Sequence, residues 1–137
     1  MQLTLSINLS LRHVITFAFQ VLSLRSNLIG DKGGAGIGDG LALNRVLQTL
    51  FLQFNRLGEE AGLAIGQGLQ TNHTLERLYL NDNRLGNSSG RMIAKALRAN
   101  VIQALMELDL RGNAFTYHVA EELVPACLAS VKPHLIV

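Results

Sequence analysis

LYLNDNRLG, residues 78–86, alternates apolar and polar through Leu78 and Leu80, breaks at Asn83, and resumes with Leu85 and Gly86. Alternation of period two reads as a strand with one buried face. The break at an asparagine is not a single event. LSLRSNLIG (22–30), LFLQFNRLG (50–58) and LDLRGNAFT (108–116) repeat it. Aligned on Asn27, Asn55, Asn83 and Asn113, the strings lie 28, 28 and 30 residues apart. The extra length of the last interval falls in NVIQAL (100–105), compared with NHTL (72–75).

Each unit follows L-x-x-L-x-L-x-x-N-x-L. The fullest are Leu47, Leu50, Leu52, Asn55, Leu57 and Leu75, Leu78, Leu80, Asn83, Leu85. A fixed period of this size with this pattern marks a leucine-rich-repeat solenoid. Short parallel strands stack with their leucines inward, and the chain must then turn away from the sheet. That turn leaves backbone N–H and C=O groups without strand partners, at about 1–3 kcal/mol for each buried group left unpaired. A carboxamide both donates and accepts. Asn27, Asn55, Asn83 and Asn113 are therefore expected to form a structural ladder.

The second half of each unit is helical in pattern. GDKGGAGIGDGLALN (30–44), GEEAGLAIGQGLQTN (58–72) and GNSSGRMIAKALRAN (86–100) share an initial Gly. Ile37 and Leu41, Ile65 and Leu69, and Ile93 and Leu97 each fall four apart, on one helical face. Asn72 and Asn100 suit helix ends. In TYHVAEELVPACLAS (116–130), Pro125 is expected to kink the helix or move its boundary. Cys127 takes an inward place there. The glycines of 30–44 lower helix propensity and predict that the first helix is the loosest.

The 28-residue unit, with its strand, Asn turn, Gly helix start and A-L-x-x-N helix end, resembles the ribonuclease-inhibitor class of leucine-rich repeats over about residues 21–130. That class includes the sensor ends of NOD-like receptors and the Ran GTPase-activating proteins. The resemblance implies an α/β fold: a short horseshoe arc with parallel strands on the concave face and helices on the convex face. It also implies a protein–protein interaction module, with a regulatory or sensing fragment of a larger NOD-like-receptor-type protein as the finer expectation. A Ran-type GTPase-activating repeat protein is the alternative. Arg56 and Arg84 are the arginines to consider for it, although their recurrence in register speaks for a repeat feature.

The expected organisation is a degenerate repeat or cap at 1–20, four repeats at about 21–46, 47–74, 75–104 and 105–131, and a tail or further repeat from 132 to 137. LTLSIN (3–8) begins like another strand, HVITFAF (13–19) like an apolar cover over the first repeat, and KPHLIV (132–137) like the lead-in to a strand. The expectation is a piece of a longer array, or self-association through open solenoid ends.

Residues between the strand leucines should face the concave side. One column is Val21, Thr49, Arg77 and Glu107, the next Ser23, Phe51, Tyr79 and Asp109, the third Arg25, Gln53, Asn81 and Arg111. The candidate partner-binding set is Arg25, Phe51, Gln53, Arg77, Tyr79, Asn81, Asp109 and Arg111. Phe51 and Tyr79 are adjacent, and read either as a binding hot spot or as a stack that steadies neighbouring strands. Arg77 beside Glu107 reads as a cross-strand ion pair.

Other chemistry finds little support. Lys and Arg total 12 against 10 Asp and Glu, scattered without a basic run, so nucleic acid is not an expected partner. GDKGGAGIGDG (30–40) lacks both phosphate-loop patterns, because Asp39 stands where G-x-G-x-x-G needs its last glycine. Gly36, Gly38 and Gly40 align instead with Ala64, Gly66 and Gly68, where helices pack closely. His13, His73, His118 and His134 show no metal spacing. No cofactor, metal or catalytic set is expected, and the chain is not read as an enzyme. Asn8, Asn72 and Asn87 open N-x-S/T strings, which without a signal peptide are expected to stay unglycosylated. No run of 18 apolar residues suggests a membrane span, and the lone Cys127 suits a reducing, cytoplasmic setting.

Overall fold

The structure, a computed structural model, describes residues 18–99, 104–129 and 134–136, with side chains through Ala126. The readings of residues 1–17, of Asn100 and of the Cys127 side chain lie outside the described residues. The elements alternate strictly: β1 (Val21–Ser23), α1 (Asp31–Leu43), β2 (Thr49–Phe51), α2 (Glu59–Leu69), β3 (Arg77–Tyr79), α3 (Asn87–Arg98), β4 (Glu107–Asp109), α4 (Tyr117–Ala129) and β5 (His134–Ile136). The strands form one parallel sheet in the order β1-β2-β3-β4-β5. The fold is a short α/β leucine-rich-repeat solenoid.

The register is the one the repeat alignment gives. Leu22, Leu50, Leu78 and Leu108 stand in one row, with Leu135 beyond them. Residues 134–136, within the stretch read as the lead-in to a strand, form β5, parallel to β4. Each strand is only three residues long, yet the parallel ladder runs on into the turn. Leu24, Leu52 and Leu80 donate their N–H to Phe51, Tyr79 and Asp109 carbonyls, and Ser26, Phe54 and Asp82 donate to Gln53, Asn81 and Arg111.

The core lies between sheet and helices. Leu22, Leu24, Leu50, Leu52, Leu78 and Leu80 enter it from one side, and Ile37, Leu41, Ile65, Leu69, Ile93 and Leu97 from the other. Full burial of each such side chain contributes about 1.5–3 kcal/mol. The glycines of α1 have a positive use in this packing. A Cβ on Gly38 would collide with the Ala64 backbone, and one on Gly68 with the Gly38 carbonyl. The residues that weaken α1 as an isolated helix are the ones that let α1 and α2 touch backbone to backbone.

Two local features refine the sequence reading. Of the two outcomes expected at Pro125, a boundary there is not found: α4 continues through the proline to Ala129. The ring sits on the exposed side, where water can serve the carbonyl that loses its donor. Helix α2 ends at Leu69, so Asn72 lies beyond it, in the turn leading to β3.

Candidate binding face and its supports

The asparagine ladder bridges adjacent rungs. Asn55 Nδ2 donates to the Leu24 and Leu52 carbonyls, each at 2.9 Å, while Oδ1 accepts from the N–H of Asn27 and Ile29, each at 3.0 Å. Asn83 repeats this with Leu52 O, Leu80 O and Leu57 N–H. Asn113 does so with Leu80 O, Leu110 O and Leu85 N–H. Asn27 stands at the first described rung, and its Nδ2 donates within its own turn to Arg25 O.

A second asparagine pair supports the opposite turn, from helix to strand. Asn44 Oδ1 accepts from Val46 and Leu47 N–H. Asn72, fully buried, accepts from Thr74 and Leu75 N–H and donates to Leu41 O and Asn44 O. Its carboxamide is closed to glycosylation in the folded chain.

Helix starts are capped across repeats. Gly30, Gly58 and Gly86 occupy the N-cap positions and offer no side chain. The first residue of each helix serves the next repeat instead. Asp31 Oδ1 accepts from Gly58 and Ala61 N–H. Glu59 Oε1 accepts from Ser88 N–H, and Glu59 Oε2 accepts from the Ser89 hydroxyl. Asn87 Oδ1 accepts from Thr116 N–H. Burial pushes the Glu59 carboxyl up, but the hydrogen bonds from Ser88 and Ser89 outweigh it and hold the group below its ordinary value of 4.5.

On the concave face, Phe51 and Tyr79 stack with ring centroids 4.8 Å apart and planes within 4°. That separation is the strand spacing itself, about 4.8 Å. Both rings are half-buried rather than open, because each is covered by its neighbour. Burial raises the Tyr79 hydroxyl pKa, and a hydrogen bond with the Glu107 carboxylate raises it further. Arg77 Nε lies 3.8 Å from Glu107 Oε2 and its Nη1 4.0 Å from Glu76 Oε2, so the guanidinium is shared between two carboxylates.

Two members of the candidate set, Asp109 and Gln53, depart from the open places that alternation gives them. Asp109 is buried, at 4% exposure. It accepts from Arg111 Nε at 3.0 Å and Nη2 at 2.7 Å, and from the Arg111 backbone at 3.1 Å. Arg111, a member of the candidate set, is exposed but already engaged by this carboxylate. Gln53 is also buried, at 9% exposure, and its Oε1 has no hydrogen-bond partner. Parallel pairing brings columns within about 5 Å, so long side chains cover their neighbours and alternation alone overstates exposure. Arg25 is exposed and Asn81 half-buried. The guanidinium of Arg25 lies over the Phe54 ring, 4.9 Å from its centroid.

Phe54 was missed by the sequence reading. It belongs to a column, Ser26, Phe54, Asp82 and Gly112, in which every residue has a positive φ near 60°. Glycine suits that conformation, and a bulky residue there is strained. The signal available in the sequence was Gly112 itself, in register with a phenylalanine.

Among the described residues no group of three or more His, Cys, Asp or Glu gathers to hold a metal. No described helix is long and apolar enough to cross a membrane.

Comparison with known proteins agrees with this geometry. The Leucine Rich repeat family model matches residues 19–38 and 71–94. No curated protein matches the chain in sequence. Among solved structures, Leiomodin-1 Actin-Binding Site 2 is similar, with a TM-score of 0.65 at 14% identity, over 82% of this chain and 80% of that one. At that identity the likeness is one of fold.

Proposed function

We propose that this chain is a protein-interaction module whose concave sheet face receives a partner centred on Phe51 and Tyr79. The observation that carries it is the parallel aromatic stack, rigidly held on neighbouring strands and flanked by the Arg77–Glu107 pair. Paired aromatics in a fixed frame lose little side-chain freedom on binding, and aromatic side chains are enriched among binding hot spots. The similar solved structure is described as an actin-binding site, which is in keeping with protein recognition by this scaffold. The finer reading is a regulatory or sensing segment like those at the sensor ends of NOD-like receptors. The ribonuclease-inhibitor-like unit of residues 21–130 supports it. A GTP-hydrolysis assay with candidate small GTPases separates this reading from the Ran-type alternative.

The test is the double substitution Phe51→Ser with Tyr79→Ser. Affinity capture and mass spectrometry identify partners of the parent chain, and their binding is then measured with purified components. The expected outcome is loss of binding by the variant, about thirtyfold or more, since truncating a hot spot costs at least about 2 kcal/mol. The circular dichroism spectrum should be unchanged. Equal binding by parent and variant would remove the concave stack from the interface.

A further inference from the structure

A second surface lies on the loops that leave the sheet. Three columns build it. The first is Arg25, Gln53, Asn81 and Arg111, the second Ser26, Phe54, Asp82 and Gly112, the third Leu28, Arg56, Arg84 and Ala114. Backbone hydrogen bonds fix the rungs: Phe54 N–H to Asn81 O, Arg56 N–H to Ile29 O, Arg84 N–H to Leu57 O, and Ala114 N–H to Leu85 O. Every residue of the second and third columns is exposed.

Two large apolar side chains stand on this shelf in left-handed backbone. Leu28 has φ 57° and is 58% exposed, and Phe54 has φ 57° and is 46% exposed. The turn demands a positive φ at position 54, as Gly112 shows further along the column, but it does not demand a phenylalanine. At 28 the left-handed φ is not repeated at Arg56, Arg84 or Ala114. Folding alone gives no reason for apolar surface in a strained backbone at either place, and such strain tends to collect at functional positions.

Charge supplies the complement. Among the described residues, Arg56 and Arg84 have no carboxylate within ion-pair distance, and Arg25 is held over the Phe54 ring. The anion on the shelf, Asp82, accepts a 2.7 Å hydrogen bond from Asn81 Nδ2 and faces Gly112, on the side away from Phe54's rung. Arg56 and Arg84 sit one rung apart, so an anion between or beside them would relieve their like charges.

We propose that this shelf docks an acidic, extended segment of a partner protein, whose alternate carboxylates meet Arg56 and Arg84 while a bulky apolar residue packs against Phe54 and Leu28. In an extended chain, alternate side chains recur about every 6.7 Å. Arginine side chains rooted one rung apart, about 4.8 Å, splay to that spacing and can each take a carboxylate through two N–H donors. The shelf borders the concave face along the Arg25, Gln53, Asn81 and Arg111 column but does not include the Phe51–Tyr79 stack.

Fluorescence anisotropy with the full chain tests this. The probe is a fluorescein-labelled nine-residue peptide whose alternate places carry two glutamates, a phenylalanine and a leucine in turn, with serine between them, so that the acidic and apolar side chains share one face of the extended chain. Controls replace every glutamate by lysine, or every apolar residue by serine. Saturable binding of the acidic apolar peptide alone is expected, weakening as salt rises. Arg56→Glu with Arg84→Glu should weaken it about tenfold. Phe54→Gly should also weaken it while melting no lower than the parent, since glycine relieves the strained backbone. Phe51→Ser with Tyr79→Ser should bind as the parent does, which keeps a failure here distinct from a failure of the concave-face reading. Absence of saturable binding, equal binding of the lysine or serine peptide, or unaltered binding by the Arg56 and Arg84 variant would overturn the proposal.

Discussion

A buried carboxamide is costly unless all its groups are used, and Asn83 uses both ends. It joins Leu52, Leu57 and Leu80 across two repeats. Replacing Asn83 by Ala removes its hydrogen bonds to four backbone groups, Asn81 O included, and should lower stability by on the order of 1–3 kcal/mol. Asn27→Ala should cost less, because among the described residues the side chain of Asn27 donates only within its own exposed turn. Urea denaturation of the two variants measures the contrast, and equal midpoints would detach the ladder from stability. Recurrence made these asparagines visible in the sequence, since one residue type held in register over four rungs marks a duty shared by every repeat. The same recurrence hid the individual departures. Gln53 and Phe54 share columns with residues of quite different chemistry, so a column average says nothing of an orphaned Oε1 or a strained aromatic. Asp109 was misjudged for a related reason. Its burial comes from Arg111, two residues away in the chain, whose side chain folds back over it.

The helices show what reading one element at a time leaves out. Each of the first three helices starts from a glycine that caps nothing, so local caps are absent there. For the starts of α2, α3 and α4 the acceptors come from Asp31, Glu59 and Asn87, one repeat back, at positions that in isolation read as ordinary first-turn residues. Such residues serve the helix dipole of the following repeat as well as its unpaired N–H groups. This has a consequence for pH. The folded chain holds the Glu59 carboxyl below its ordinary value of 4.5, so the ionised form is favoured by folding. A depressed carboxylate contributes stability that is present above the unfolded value and is lost as pH falls through the folded one. Stability of the parent should therefore decline as pH drops below about 4.5. Glu59→Gln should start less stable at pH 7 and lose less on acidification. Parallel pH profiles for parent and variant, from thermal melts at several pH values, would show that the inter-repeat cap carries no linkage. The helix periodicity itself, Ile37 and Leu41 through Ile93 and Leu97, was legible because the buried face repeats every four residues. The continuation of α4 through Pro125 was not, because it depends on which side of the helix meets solvent.

At the scale of the whole molecule, each repeat leans only on its neighbours, so the ends of the stack have a different environment from its middle. Among the described residues β2, β3 and β4 are paired on both sides, while β1 and β5 each have one strand neighbour. The β1 side also shows apolar surface, with Phe19, Val21, Leu43 and Val46 all exposed. A parallel edge beside an apolar patch is a template for another chain. We expect the protein to self-associate through this edge. Sedimentation velocity across low to high micromolar concentration should show a rising weight-average coefficient. Val21→Lys places a charge on the outward face of β1 without touching the leucine row, and should shift the association to about tenfold higher concentration or beyond. Its melting temperature at low concentration should stay near that of the parent, since surface changes of this kind are worth about 0.5 kcal/mol or less. A parent chain that sediments as a single monomeric species throughout would mean that β1 is blunted as it stands, and that the exposed Phe19, Val21, Leu43 and Val46 do not drive contact between copies.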